Sequence, residues 1–402
     1  MISVALAAIL SLGDAQSLAL ARAPSVVEAR ARVTEAEALV RVARGNGALH
    51  GILNYNQSPQ AGATNTTVLQ RLTTVGGQIS LSDLAGRDPA VARAQASLRS
   101  AQASKIAVER AERIRVIHLY VEAQRAHAVR VLREMIEASS LAFARAVSVR
   151  YRNGDASRLD EGRSDIVHIQ AEADTVAAKA GETDALAALA MEIGREPNAI
   201  ALPTLEWREA PTGMPTIDGA VEFALAHRPE IALARADVTT EEAALRVAGK
   251  AGLPALTAQV GYTYGTDTEI PVHGPSANVT LDFPVSGVSA ATAAAQSARV
   301  EQARARLTAV TWGLRLEVEA AYRALKTDVY EEFAAGAASA EAEKVVKATE
   351  LGFNNGASSS LEVTQARLTY AQAAIAKLAG EATFDEALAT WPLTLGNQGE
   401  AP

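Results

Sequence analysis

Apolar residues recur at steps of three and four through the first half of the chain, which is the period of a coiled-coil seam. They are Ile114, Ile117, Val121, Ala128, Leu132 and Met135. No glycine or proline lies between Pro89 and Gly154, and the helix-forming residues Ala, Arg, Glu and Leu dominate this segment. The pattern therefore predicts one continuous helix over it.

A second long helix is predicted from roughly Ser289 to Gly352, with interruptions at Gly313 and Gly336. Both helices are rich in alanine, whose small side chain permits close helix packing. A soluble coiled-coil rod explains these helical segments equally well.

Two segments of the second half alternate between apolar and polar residues, the pattern of strands with one apolar face. Their apolar positions are Leu256, Ala258, Val260, Tyr262 and Tyr264, then Ala277, Val279, Leu281 and Phe283. A loop containing Pro271, Gly274 and Pro275 is predicted between them, so a β-hairpin is expected over about residues 254–284. A weaker pattern, 51–55 and 75–81 around a Gly/Thr/Asn loop, predicts a hairpin over about 47–82.

Strands of this kind are typical of transmembrane β-barrels. Four strands cannot close a barrel, and an open sheet edge in lipid would leave backbone groups unpaired. Three chains would together supply twelve strands, an even number within the bacterial range. Two hairpins that cap a helical bundle in water are the alternative.

The chain contains an internal repeat. Pro24 and its surroundings recur at Pro229, an offset of 205. Further matches at an offset of 202 are Tyr120 with Tyr322, Tyr151 with Phe353, Gly154 with Gly356, Ser157 with Ser359, Leu159 with Leu361, and Gly194 with Gly396. The repeat predicts a tandem duplication in which each half contains a helix, a hairpin, a long helix, a turn (152–158 or 354–360) and a further helix. The predicted segments are a possible truncated signal segment at 1–12, the first repeat at 13–196, a proline-rich linker at 197–216, the second repeat at 217–396 and a tail at 397–402.

The composition of the chain argues against several classes of function. The 402 residues carry a formal net charge of −8, which disfavours nucleic-acid binding because phosphate contacts need an excess of Lys and Arg. There is no cysteine, and the six histidines form no metal-binding motif, so neither a metal site nor another cofactor is expected. Phosphate-binding and nucleophile motifs are also missing from the sequence, so we expect no catalytic residues and no enzyme activity.

The whole chain resembles the TolC-like outer-membrane efflux protein family. The resemblance is carried by the repeated segments that end at Pro24 and Pro229, by residues 281–284, and by the repeated segments 151–159 and 353–361. It implies a mixed α and β membrane protein: a homotrimer with a 12-stranded outer-membrane β-barrel, four strands per chain, continuous with a long periplasmic α-helical barrel. It also implies a Gram-negative outer-membrane location extending into the periplasm, contact with outer-membrane lipid, and two partners, a periplasmic adaptor (membrane fusion protein) and an inner-membrane transporter. The implied function is a passive exit duct for small solutes such as drugs or metals.

In that family the glycine turns lie at the periplasmic tip and meet the adaptor. The corresponding candidate contacts here are Tyr151, Gly154, Ser157, Phe353, Gly356 and Ser359. From the residues alone, glycine can end one helix and a following serine can cap the next, so plain helix–turn–helix corners would explain the pattern as well.

The resemblance also identifies candidates for the pore aperture: Asp160, Glu362 and Gln365. Gln365 stands where the family has a second acid, Phe353 where it has a restraining tyrosine and Ser358 where it has an arginine. A closed-state lock that is either weaker or built from other residues is therefore expected. The remaining alternative for the whole chain is a periplasmic coiled-coil adaptor, or a structural helical protein that does not enter the membrane.

Overall fold

In the computed structural model of the chain, the described residues are 9–45, 49–61, 67–205, 215–250, 254–267, 270–282 and 288–397. The elements in chain order are α1 (Leu12–Arg22), α2 (Pro24–Gly45), β1 (His50–Ala61), β2 (Thr67–Ser80), α3 (Leu81–Asn153), α4 (Arg158–Ile193), α5 (Ile217–His227), α6 (Pro229–Lys250), β3 (Ala255–Asp267), β4 (Ile270–Asp282), α7 (Val288–Asn354) and α8 (Ser360–Leu395). A short 3-10 turn at Pro197–Ala199 follows α4.

Corresponding helices of the two halves have equal lengths in three cases: α1 and α5 have 11 residues, α2 and α6 have 22, and α4 and α8 have 36.

Both long helices differ in detail from the sequence prediction. Helix α3 begins at Leu81, eight residues before the predicted start, and contains Pro89 in its interior. A proline within a helix removes one backbone hydrogen bond but does not end the helix when the flanking turns continue it. Helix α7 runs without a break through Gly313 and Gly336, so the predicted interruptions are wrong. A single glycine costs a helix only about 1 kcal/mol relative to alanine, which a helix of this length tolerates.

The chain divides into two compact units. One unit comprises residues 1–28, 106–228 and 312–402, and the other comprises 29–105 and 229–311. The first unit is helical and contains both interhelical turns, whereas the second contains the four strands.

The sheet has the order β1-β2-β3-β4, and every neighbouring pair is antiparallel. The hairpin strands are longer than the sequence indicated, and Pro271, Gly274 and Pro275 lie inside β4 rather than in a loop. Within this chain β4 pairs only with β3, so its prolines leave that ladder intact where their missing N–H groups lie on the side away from β3. Phe283 and residues 62–66, which are part of the predicted loop of the first hairpin, lie outside the described residues.

One face of the sheet is apolar and exposed. The register places Leu53 of β1 beside Val75 of β2, and Val75 beside Tyr262 of β3. These side chains are all exposed, as are Tyr55, Val260, Tyr264, Val279 and Leu281. The opposite face is polar: the hydroxyl oxygens of Thr74 and Thr263 are 2.8 Å apart, and Thr263 donates to Ser276 at 3.0 Å.

The core of the helical unit forms where α3 meets α1 and α4. Val116 and Tyr120 of α3 pack with Ala19 of α1 and with Leu189 and Ile193 of α4, and all five are buried. Three residues of the predicted coiled-coil seam, Ile117, Val121 and Leu132, are buried as well, whereas Met135 is exposed.

The segments before α1 and after α4 meet in the same unit. Leu10 donates its N–H to the carbonyl of Ala201 at 2.8 Å, and the Tyr120 hydroxyl donates to the carbonyl of Leu10 at 2.8 Å. Residues 1–8, most of the predicted signal segment, and residues 206–214 of the predicted linker lie outside the described residues. No helix in the described part of the chain combines the length and the apolar character that a membrane crossing requires.

Candidate functional site

The two turns that join α3 to α4 and α7 to α8 have the same backbone geometry. Gly154 and Gly356 have φ of 84° and 78°, in the left-handed region that favours glycine. The N–H of Gly154 donates to the carbonyl of Tyr151 at 3.0 Å, and the next N–H, of Asp155, donates to the carbonyl of Arg150 at 2.8 Å. This pair of bonds is a Schellman motif, and it closes α3.

The second turn repeats these bonds. The N–H of Gly356 donates to the carbonyl of Phe353 at 3.1 Å, and that of Ala357 to the carbonyl of Gly352 at 2.7 Å. A Cβ atom added to Gly154 or Gly356 would meet no atom within 4 Å. The requirement for glycine at these two positions is therefore one of backbone conformation rather than of space.

A capping box begins the helix after each turn. The Ser157 hydroxyl accepts from the N–H of Asp160 at 3.1 Å, and the Asp160 carboxylate accepts from the N–H of Ser157 at 3.2 Å. Ser359 and Glu362 do the same in the second turn, at 3.2 and 2.6 Å. Both predicted serines therefore cap helices, and both predicted aperture acids are the reciprocal capping residues.

The capping bonds fix the charge of these two acids. Hydrogen bonds from the hydroxyls of Ser157 and Ser360 hold the pKa of Asp160 below its ordinary value. The backbone N–H and the hydroxyl of Ser359 likewise lower the pKa of Glu362. Both carboxylates are therefore negatively charged at neutral pH, and Glu362 and Gln365 are exposed.

Two contacts tie the turns to each other. The Arg150 guanidinium donates to the carbonyl of Asn354 at 3.2 Å, which links the end of α3 to the end of α7. The Ser360 hydroxyl donates to the Asp160 carboxylate, which links the start of α8 to the start of α4. The two turns are thus parts of one surface.

A small apolar core lies beneath this surface. Phe353 packs with Phe143, Val147 and Val363, and the centroids of the two phenyl rings are 5.2 Å apart. The Arg150 guanidinium lies 4.1 Å from the centroid of the Phe353 ring, a cation–π contact. Phe353 is only 6% exposed, so in this chain it supports the surface rather than forming it.

Exposed apolar side chains surround the turns, and all of those named here except Tyr151 match in pairs across the repeat. Tyr151, at the first turn, is 37% exposed. Leu159 and Leu361, two residues after the capping serines, are exposed, and so are Val149 and Leu351, which precede the turns. Leu159 and Leu361 match in the repeat but are not among the contact candidates predicted from the sequence. Val149 and Leu351 have the same offset of 202, a signal that could have identified them.

No group of three or more His, Asp or Glu side chains among the described residues could hold a metal ion. The surface offers apolar side chains, fixed negative charges and exposed turn backbone. These features suit macromolecular contact rather than bond-making chemistry.

The second half of the chain matches a known family. Residues 220–397 match the family model described as outer membrane efflux protein. The match and the fold agree with the resemblance found in the sequence. A comparison with curated protein sequences finds no match.

Solved structures with the same fold cover almost the whole chain. A membrane protein from Pseudomonas aeruginosa aligns with a TM-score of 0.84 at 20% identity, over 98% of this chain and 92% of its own. The CmeC outer membrane channel of Campylobacter jejuni aligns with a TM-score of 0.84 at 14% identity, over 96% and 86% of the two chains. The open-state MtrE outer membrane channel of Neisseria gonorrhoeae aligns with a TM-score of 0.81 at 19% identity, over 96% and 89%. The four-stranded sheet and long helices of this chain thus have the fold of outer membrane channels.

Proposed function

We propose that the chain is one subunit of a homotrimeric outer-membrane efflux channel, a passive duct for small solutes that an inner-membrane transporter delivers through a periplasmic adaptor. The observation that carries this proposal is the sheet of the second unit. Its apolar face is exposed, and within the described part of the chain β1 and β4 each have a neighbour on one side only.

The backbone groups on these two edges need partners in a membrane. A lipid-facing edge would leave a row of N–H and C=O groups unpaired, at a cost of several kcal/mol for each group. Pairing β4 of one chain with β1 of the next satisfies both edges by the same contact. Three copies then close a barrel of twelve strands, with the apolar face toward lipid and the Thr74–Thr263 face toward the lumen.

The family match supports this function over the alternatives of a periplasmic adaptor or a structural helical rod. The matched domain belongs to outer membrane efflux proteins. In a water-soluble rod, the exposed side chains of Val260, Tyr262 and Tyr264 would form an unfavourable apolar patch on the sheet.

The turn surface is the proposed docking site for the adaptor. Tyr151, Leu159 and Leu361 supply exposed apolar contacts, Gly154 and Gly356 supply exposed backbone, and Ser157 and Ser359 fix the start of the following helices. Phe353 takes part indirectly, by holding the second turn in place. The aperture role of Asp160, Glu362 and Gln365 belongs to the same proposal: in a trimer, the two acids would supply rings of fixed negative charge.

Engineered disulfides test the barrel directly, because the chain has no native cysteine. Neighbouring strands lie about 4.8 Å apart, so β1 and β4 of one chain are separated by about 14 Å. A disulfide needs Cα atoms within about 7 Å, so cysteines on these two strands can join only different chains. We expect Leu53→Cys, combined in turn with His273→Cys, Ala277→Cys or Val279→Cys, to give covalent dimers and trimers in outer membranes for at least one combination.

The matched control is Leu53→Cys with Val75→Cys. These two residues are direct partners in the register, so their disulfide closes within one chain and gives no ladder. Absence of interchain products from all three β1–β4 combinations, with the control disulfide formed, would rule out the shared barrel.

A further inference from the structure

A pair of carboxyl groups lies in the helical unit where the start of α2 and the end of α4 meet α3. Glu112 of α3 is 6% exposed, and its Oε2 accepts from the Ser25 hydroxyl at 3.3 Å. Its Oε1 is buried and has no hydrogen-bond partner among the donors of the described residues. The Glu192 side chain, next to the last residue of α4, is 10% exposed. Its carboxylate contacts the guanidinium of Arg115, which lies one turn from Glu112 on the same face of α3, so Glu192 and Glu112 are neighbours.

Two ionised carboxylates cannot satisfy this arrangement. Both would be acceptors only, so the buried Oε1 of Glu112 would lack a donor and two negative charges would lie together out of water. A proton held between them supplies the missing donor and removes one charge.

The charged groups around the pair do not replace that proton. On α3, Arg115 contacts Glu192 with an N–O distance of 3.0 Å, but its side chain is 60% exposed. On α1, Arg22 donates to the carbonyl of Gly194 at 2.6 Å rather than to either acid. On α2, the hydroxyl of Ser25 reaches only the Oε2 atom of Glu112.

The corresponding place in the second half of the chain is built differently. At an offset of 202, Leu314 stands for Glu112 and Thr394 for Glu192. There the buried Arg228 donates to the carboxylate of Glu317 at 3.0 Å and to the carbonyl of Thr394 at 2.6 Å. An ion pair of opposite charges thus fastens the end of α8, whereas two like-charged groups meet at the end of α4.

We propose that Glu112 and Glu192 share one proton and form a pH-sensitive clasp, which fastens the end of α4 and the start of α2 to α3 when protonated and loosens when the proton leaves.

The direction of the titration agrees with this geometry. The hydrogen bond with Glu112, burial and the negative charge of Glu112 raise the pKa of Glu192 to about 7, while Arg115 opposes the rise. The ordinary value is 4.5, so between these two values the folded clasp holds a proton that the opened chain has lost. The clasp is therefore fully stabilised below pH 4.5, and that stabilisation is lost as the pH rises through about 7.

Hydrogen exchange on the intact, detergent-extracted protein tests the clasp. The readout is the opening equilibrium of the backbone amides in 190–195 and 24–28, corrected for the intrinsic pH dependence of exchange. Because one proton is linked to opening, the equilibrium constant should increase by up to about tenfold per pH unit on approaching pH 7. Glu192→Gln keeps a hydrogen-bond donor toward Glu112 but does not titrate, so its opening should not depend on pH and should stay low at pH 8.

Glu122→Gln is the matched control. Glu122 lies on the same helix, is partly exposed and forms an ion pair with Arg125, which is not part of the clasp. This variant should keep the wild-type pH dependence. An equal pH dependence in Glu192→Gln and in the wild type would overturn the proposal. The proposal would also be overturned if Mg²⁺ or Ca²⁺ protected these amides in the wild type but not in Glu112→Gln, because the pair would then bind a metal ion.

Discussion

The two interhelical turns have the same backbone but differ in what lies beneath them. At the position three residues before the glycine, the first turn has Tyr151, which is 37% exposed, and the second has Phe353, which is 6% exposed. Phe353 fills a core with Phe143, Val147 and Val363, while the Tyr151 ring lies outside that core, with the Arg158 guanidinium 5.9 Å from its centroid. The second turn is therefore anchored from below, and the first turn presents its aromatic side chain outward.

This difference shows that a matched sequence position need not carry a matched role. Both aromatic residues are adaptor-contact candidates by position, but only Tyr151 is accessible to a partner in this chain. Arg150 and Ser360 connect the turns, so the anchored turn can hold the presenting turn in place.

The largest expected effect comes from removing the anchor. Phe353→Ala should lower the free energy of unfolding of the turn region by about 3–5 kcal/mol, because it empties a buried aromatic site. Tyr151→Ala at the matched position should cost no more than about 0.5 kcal/mol, because the side chain is partly exposed. Hydrogen exchange of the amides in 352–363 and 150–161 measures both changes. Equal losses in the two variants would show that the turns are not different in anchoring.

A smaller effect is expected from the glycine conformation that the turns share. Gly154→Ala and Gly356→Ala should each destabilise their turn by about 1 kcal/mol, since an L-residue is strained at positive φ. Gly313→Ala is the control: this glycine lies inside α7 with no atom near its added Cβ, so the change should stabilise the helix by up to about 1 kcal/mol. Thermal melting of the extracted protein compares the three variants. A turn variant that melts at or above the control temperature would contradict the strain argument.

The smallest structural effect is expected from the charges of the capping acids. Asp160→Asn with Glu362→Gln removes two charges per chain but keeps oxygen acceptors for the capping bonds, so the melting temperature should change little. If the acids line the aperture, cation preference and block by multivalent cations in planar bilayers should both decrease, and more at low than at high salt because screening hides charge. Unchanged selectivity of this variant at low salt would place the acids away from the pore.

The capping bonds also predict a response to acid. Since the pKa of Asp160 and of Glu362 is lowered in the fold, the stabilisation from these caps is present at neutral pH and is lost as the pH falls through those lowered values. The clasp formed by Glu112 and Glu192 responds in the opposite direction.

The turns were predictable from sequence because their determinants are local. A glycine in the left-handed region and a serine three residues later define a helix end and a helix start within a few positions, and both occur twice. The alternation in β3 predicted a strand for the same reason.

Features set by distant residues were not predictable in this way. Phe353 is buried by Phe143, which lies on another helix 210 positions earlier, counted as 353 − 143. Glu112 and Glu192 are 80 positions apart, from 192 − 112, and each alone resembles a solvated helix carboxylate. The start of α3 and the extent of β4 were predicted wrongly at their prolines. Proline disfavours regular structure on average, but a long helix or an edge strand can accommodate it.

The central claim is that chains pool their strands into one outer-membrane channel. Native mass spectrometry of the protein extracted from outer membranes in mild detergent tests it most directly. We expect one species with the mass of three 42.0-kDa chains and an intact β-sheet signal by circular dichroism. A monodisperse single chain with the same β-content would contradict it, because the edges of β1 and β4 would then be stable in lipid without a neighbour.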